Sequence, residues 1–422
     1  MNDSRIQTAP SCRDDHDPAS LPVQLALARI ESALNPIRGF EKVATRSALG
    51  RVLAQDVSST LDVPGHTNSA MDGYAINGEQ IPSKGTRELK VIGTSWAGRP
   101  YRDEIAADTC VRIMTGAVMA PGTDTVIMQE HVELQGEHIR FDASHKPGQN
   151  VRQAGEDIAK GKVVLTKGKR ISPADIGLLA SLGTGEVLVH RRLRVAFFST
   201  GDELRAIGEP LEEGMIYDSN RYTLYGMLTR LGADVIDMGV IKDVREDTFE
   251  AFAEAANCAD VIITSGGVSV GEADYVKETL DKVGKVNFWK VAMKPGRPLA
   301  FGRVKDAYFF GLPGNPVSVM ITFYIFVQPA LRKLSGESKT ENLTLNAPCI
   351  STLRKRPGRV EFQRGILERN DKGQYQVRKT GPQGSGILHS MTEANCLIIL
   401  PLESTGVEPG TEVEVVPFQG LV

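Results

Sequence analysis

The sequence predicts a multi-domain α/β and β protein. It should hold an α/β domain with a mostly parallel sheet, a β-rich inserted domain, and a small C-terminal β-barrel-like domain. Three observations predict this. The 422 residues are too many for one ordinary core. Between residues 191 and 335, apolar strand-like runs alternate with helix-like segments, the rhythm of a parallel sheet covered on both faces. From 61 to 155, and again from 336, short apolar runs alternate with Gly and Pro turns, as in small β-rich units.

The first 20 residues, MNDSRIQTAPSCRDDHDPAS, are polar, lack the apolar core of a signal peptide and read as a disordered tail. In LPVQLALARIESALN, residues 21–35, Val23, Leu27, Ile30 and Leu34 recur at helical spacing, and Pro36 stops the helix. RVLAQDVSSTLDVPG reads as a strand ended by a Pro-Gly break. LKVIGT, TCVRIMTG and DTVIMQEHVEL supply strands of the 61–155 domain. GEDIAKGKVVLTKGKRISPADIGLLASLG gives a strand, a turn and a helix capped near Ser172 with Pro173 at its first position. This piece is too small to stand alone. Residues 156–190 are therefore expected to join 21–60 in one discontinuous domain, with 61–155 inserted between them.

In the 191–335 domain, LRVAFFS, ADVIDMGVI, ADVIIT, VNFWKVAM, PLAFGRV and AYFFGLPG are strands, with ADVIIT central because both its faces are apolar. DSNRYTLYGMLTRLG, opened by Asp218 or Ser219 and closed by Gly232, is a helix, as are DVREDTFEAFAEAAN and DYVKETLDKVG. A long helix follows Asn315-Pro316. Its run VSVMITFYIFVQPAL is interrupted by Ser318, Thr322 and Gln328 and falls short of the ~20 residues of a membrane span, so it reads as a buried helix and not a membrane segment. Residues 336–422 carry short strands such as VEFQRGILER, CLIILP and EVEVVPF.

A hydrophobic fraction of 41%, a charged fraction of 24% and a formal charge of −3 describe a soluble globular chain and argue against a general nucleic-acid binder. Cys12, Cys110, Cys258, Cys349 and Cys396 are scattered with no C-x-x-C pair, which fits reduced thiols in the cytoplasm.

The chemistry gathers in loops. In an open α/β sheet, ligands bind beyond the carboxyl ends of the strands. TSGGVSVGEADY follows the central strand there. Gly266 and Gly267 either make only a tight strand-to-helix turn or let backbone amides approach a phosphate, the reading favoured by their position, while Thr264, Ser265 and Ser269 add hydroxyls. STGDEL brings Asp202 and Glu203 to the same edge, and GVIKD brings Asp243; Glu272 and Asp274 follow the glycines. Carboxylates beside a phosphate site suggest Mg²⁺. Asp243 and Asp274 each precede a helix, and N-capping is the other reading of both. Lys290, Lys294 and Arg297 supply cations, and Pro313 and Pro316 bracket a rigid turn. Elsewhere, Asp72 in NSAMDGYA, Thr115 in RIMTGA and Asp157 in AGEDI sit in turns. The run of Arg354, Lys355, Arg356, Arg359 and Arg364 is either a solvated strand edge or a second anion site.

Taken together, NSAMDGYA, RIMTGA, GEDI, STGDEL, YDSNR, TSGGVSVGEADY, KPGRPLAFG and GLPGNPVS resemble, in order from about residue 21 to the C-terminus, the molybdopterin molybdenumtransferase (MoeA) family. That family is similar also to the E domain of gephyrin. The resemblance implies four domains in a homodimer: an elongated domain I (21–60 and 156–190), domain II (61–155), a MogA-like, molybdopterin-binding domain III (191–335) and domain IV (336–422). Its active cleft lies between domain III and domain II of the partner subunit. The reaction implied joins molybdenum from molybdate to the dithiolene of adenylylated molybdopterin and releases AMP with Mg²⁺.

By this resemblance Asp72 matches the acidic residue of SAMDGYA. Thr115, Asp157, Glu203, Asp243 and Asp274 match polar cleft residues, with Glu203, Asp243 and Asp274 as the metal set. Lys290, Lys294, Pro313 and Pro316 match the phosphate side, and Arg364 and Ser385 positions holding the oxyanion or pterin. An adenylyltransferase and molybdoenzyme apoproteins are the partners implied. Two other functions share the α/β domain or the overall likeness: the preceding adenylyltransferase, and a non-enzymatic gephyrin-like scaffold.

Overall fold

The computed structural model describes residues 20–267 and 275–418. Its largest core is built on a six-stranded sheet in the order Asp234–Ile241, Arg194–Thr200, Val261–Ser265, Ala307–Leu312, Pro298–Val304, Gly284–Lys290. The first four strands run parallel, and the last two are joined antiparallel. Val261–Ser265 and Ala307–Leu312 are buried at every position, as uninterrupted apolar runs require when both faces are covered. One face packs Phe198, Ile262 and Phe309 against Phe252 and Leu280. The other packs Phe197, Ile263 and Phe310 against Leu224 and the helix that runs from Pro316 to Leu334. Each fully buried phenylalanine contributes about 1.5–3 kcal/mol. The Pro316–Leu334 helix is long and apolar enough to span a membrane, but it is mostly buried inside the protein, as a core helix is.

Two expectations change. The helix Val23–Ala33 packs Val23, Ala26 and Ile30 into this α/β core, not against residues 156–190. The 51–65 stretch makes only bridges at Val52, Leu53 and Val63 and the two-residue strand Val57–Ser58, because its turns break any longer pairing.

The rest of the flanking segments do meet. Phe40–Ala44 pairs antiparallel with Glu186–His190, and Val57–Ser58 with Val163–Leu165, around Leu53, Ile171, Leu179 and Val189. Ser172 caps the helix Pro173–Ser181 in a reciprocal capping box with Asp175. Between these segments lies a second six-stranded sheet, ordered Thr125–Met128, Gly73–Ile76, Thr109–Ile113, Thr86–Ser95, His138–Asp142, Glu133–Gln135.

The C-terminal sheet runs Met293–Lys294, Val360–Arg369, Cys396–Leu400, Glu412–Pro417, Leu345–Pro348, with Tyr375–Lys379 also paired to Val360–Arg369. A bridge from Cys349 to Val377 closes the ring between its two ends, which makes it barrel-like. Its first strand is lent by the α/β unit, so the two units share a sheet at Lys294 and Glu361.

Candidate active site

The carboxyl ends of Arg194–Thr200, Val261–Ser265 and Ala307–Leu312 converge on one sheet edge. Gly266 and Gly267 stand there with φ of 90° and 64°, a region that favours glycine. A Cβ on Gly266 would lie 2.6 Å from the Thr200 carbonyl oxygen, and one on Gly267 2.5 Å from the Val276 side chain. The pair is thus required by close approach as well as by the turn. The Gly266 amide is not open to a ligand, because it donates to the Leu312 carbonyl at 3.1 Å. Among the described residues, the buried hydroxyls of Thr200 and Thr264 have no hydrogen-bond partner.

Asn220, in the first turn of the helix Ser219–Arg230, ties this edge together. Its amide donates to Ser265 Oγ at 2.8 Å and to the Gly314 carbonyl at 2.7 Å, so the glycine loop and the Pro313–Pro316 turn are held by one side chain. The sequence signal for it is its place in YDSNR; its spacing marks nothing.

The acidic loops also meet. Asp202 Oδ1 accepts from the Asp243 amide at 3.3 Å, and the Glu203 carboxylate folds back over Gly201. Asp243 does not cap the following helix: Val244 holds that position and no side chain caps it. Ser269, Glu272 and Asp274 lie outside the described residues. Among the described residues no three His, Cys, Asp or Glu are grouped to hold a metal.

Lys290 ends its strand on the same edge but three strands along from Ser265, about 14 Å away at the usual strand spacing. Lys294 is already paired with Glu361 at 3.0 Å, and Arg297 reaches Ser20 Oγ at 3.3 Å. Lys294 opens on a cleft of about 420 Å³ shared with Arg354, Arg364, Lys379, Gln363 and Gln383.

In that cleft Arg364 is 1% exposed, its Nε donating to Ser390 Oγ at 2.9 Å and its Nη2 to the Gly384 carbonyl at 2.9 Å. No carboxylate pairs with it among the described residues. Burial pushes its pKa down to about 10, so a charge held there gains from an anion. Lys355, from the same basic run, is structural: its Nζ donates to the carbonyls of Pro401, Leu402 and Ser404. Of that run, Arg354 and Arg364 reach the cleft. Ser385 does not line the cleft; it follows Gly384, whose carbonyl takes Arg364, and its own carbonyl accepts the Val317 amide at 3.1 Å, in the first turn after Pro316.

Asp72 and Thr115 form a separate group on the inserted sheet. Asp72 Oδ1 accepts from both the Thr115 amide and the Thr115 hydroxyl at 2.7 Å, which holds its carboxyl below the usual range. Asp157 is exposed on the returning segment, its amide donating to the Val63 carbonyl; no hydrogen bond among the described residues joins it to the other groups. Cys110 and Cys396 are buried, and burial raises their thiols to about 12, leaving them poor nucleophiles.

Three family models match this chain: the MoeA N-terminal region (domain I and II) over residues 21–183, a probable molybdopterin binding domain over 196–333, and the MoeA C-terminal region (domain IV) over 346–418. The chain is 46% identical, over 90% of its length and 95% of the relative's, to a molybdopterin molybdenumtransferase of Haemophilus influenzae. It is 38% identical to one from Nostoc, over 87% of this chain and 86% of that one. A solved molybdopterin biosynthesis MoeA protein of Pyrococcus horikoshii superposes with a TM-score of 0.83 at 32% identity, covering 94% of this chain and all of that one.

Proposed function

The chain belongs to the MoeA family of molybdopterin molybdenumtransferases, and we propose that it inserts molybdenum from molybdate into adenylylated molybdopterin, releasing AMP. The transferase activity on molybdopterin follows from the family. One observation carries the finer reading: a buried guanidinium with no carboxylate partner among the described residues, Arg364, lines a cleft whose Gly384–Ser385 wall is bonded to Val317, beside the Pro313–Pro316 turn. Molybdate is a tetrahedral dianion, and a fixed cation with hydrogen-bond donors is what such an anion needs.

The sheet edge then serves the nucleotide. Thr200 and Thr264 offer hydroxyls, and Asn220 fixes the turn that faces them. Mg²⁺ held by Glu203 and Asp243, with Asp274, would offset charge on the phosphate when bound. Asp72, kept ionised by Thr115, serves as an acceptor for substrate N–H groups and not as an acid. Because Asp72 and Thr115 lie on a different unit from the glycine edge, we read the enzyme as a homodimer in which one subunit's inserted domain completes its partner's cleft. An adenylyltransferase would supply the substrate, and apoproteins of molybdoenzymes would take the product. Buried, unpaired thiols at Cys110, Cys349 and Cys396 suit the reducing cytoplasm.

The test is AMP release from purified protein given adenylylated molybdopterin. It should require both molybdate and Mg²⁺. Release without molybdate, or none with every component present, overturns the reading.

A further inference from the structure

A second cationic cleft, of about 210 Å³, opens where the elongated unit meets the α/β unit. Arg51, Arg170 and His190 line it from one side, and Arg192, Arg230 and Arg332 from the other. None of the residues of the Arg364 cleft borders it.

The charges do not cancel. Arg51 pairs with Glu41 at 2.7 Å and Arg170 with Glu337 at 2.5 Å. Arg192, Arg230 and Arg332 meet no carboxylate within 4.0 Å among the described residues. Each uses little of its five-donor fork. Arg230 donates to the Phe418 carbonyl at 2.7 Å and Arg192 to Gly232 at 3.3 Å. Arg332 has only contacts of 3.4 Å to the Glu341 carbonyl and Asn342 Oδ1. Its pKa is lowered, first by burial; Glu337 opposes this, and Arg170 and Arg230 add smaller pushes in the same direction as burial. His190 closes one wall, its ring 6% exposed and packed against Phe40 and Gly336. Arg332 is half-buried among these charges, and a guanidinium so placed with only long hydrogen bonds gains from an oxyanion that accepts from it.

We propose that this cleft binds a phosphate-class oxyanion, inorganic phosphate or diphosphate, which bridges the elongated unit to the α/β unit. Arg51 and Arg170 come from the segments that flank the insert, while Arg230 and Arg332 belong to the α/β unit, so a bound anion ties the two together.

The test is calorimetric titration of the full chain with phosphate and with diphosphate at low ionic strength, with potassium chloride at matched ionic strength as reference. At least one of the two oxyanions should bind at a saturable site and raise Tm above the chloride reference; which one does so identifies the source. Arg230→Gln, at an exposed position, should weaken that binding tenfold or more, and Arg332→Gln likewise, with unchanged circular dichroism. Lys294→Gln, in the other cleft, should leave it intact. Binding no stronger than chloride overturns the proposal. So does binding that survives both arginine substitutions, or binding lost in Lys294→Gln alone.

Discussion

The Ser385 carbonyl accepts the Val317 amide at 3.1 Å, so a loop of the C-terminal unit satisfies an amide at the start of the helix that leaves the Pro313–Pro316 turn. Helix N-termini carry unsatisfied N–H groups, and here one of them is spent joining two units. The sheet edge and the loop beside the Arg364 cleft are therefore tied to one frame. Replacing Arg364 tests it. Arg364→Ala removes a buried cation and leaves Ser390 and the Gly384 carbonyl without their partner. Loss of charge-assisted hydrogen bonds of about 1.5–3 kcal/mol predicts a rise of roughly 10- to 100-fold in the KM for molybdate. Molybdate-dependent AMP release is the measurement. An unchanged KM would remove Arg364 from the oxyanion site.

Asn220 makes a narrower prediction. Its two hydrogen bonds, to Ser265 and Gly314, are worth about 1 kcal/mol each. Asn220→Ala should lower stability by about 1–2 kcal/mol in urea unfolding and weaken nucleotide binding. Asn220→Asp keeps the shape but offers no amide donor, so it should not rescue.

Much of the α/β unit was legible because its strands are buried on both faces and so read as unbroken apolar runs, as in Val261–Ser265. Ser172 and Pro173 announced their helix through local chemistry alone. The helix Val23–Ala33 was legible as amphipathic, yet an apolar stripe does not say which core receives it, and it went to the α/β unit. The basic run around 354–364 shows the same limit. Composition cannot tell that Lys355 feeds three carbonyls while Arg364 is buried with no carboxylate among the described residues. The glycine pair was readable as a tight turn, but commitment of the Gly266 amide to Leu312 depends on a strand 46 residues away in sequence.

Gly267→Ala should be severe. At φ 64° a side chain is strained by roughly 1–2 kcal/mol, and its Cβ would press on Val276 Cγ2 at 2.5 Å. Overpacking adds about 1–3 kcal/mol. Thermal unfolding should show the loss, and Val276→Ala in the same chain should relieve the Cγ2 clash but neither the 2.8 Å approach to Thr200 Oγ1 nor the strain. Full rescue would mean that φ does not matter there.

Asp72 predicts a flat pH response near neutrality. Its folded pKa lies below 3.8, first through the Thr115 amide and then through the Thr115 hydroxyl. A depressed carboxylate stays ionised above its unfolded value and protonates only as pH falls through the lower folded one. Thr115→Ala keeps the amide and removes the hydroxyl, so carbon-13 titration of Asp72 should show its pKa rising toward 3.8 without reaching it.

Asp260 makes the acid limb of stability. Burial alone would raise its carboxyl, but the bidentate Arg191 at 2.7 and 2.6 Å, with the Arg194 amide, outweighs burial and holds it below 3.8. A group depressed on folding contributes stability above its unfolded pKa and loses it as pH falls through the folded value. The wild-type melting temperature should therefore drop as pH falls from about 4, in the window set by that shift. Asp260→Asn keeps the shape and cannot titrate. Its melting temperature should be lower at pH 7, and the gap to wild type should narrow steadily below pH 4 in calorimetry. A gap that stays constant down to pH 2 would show that the Arg191 pair does not set the acid response.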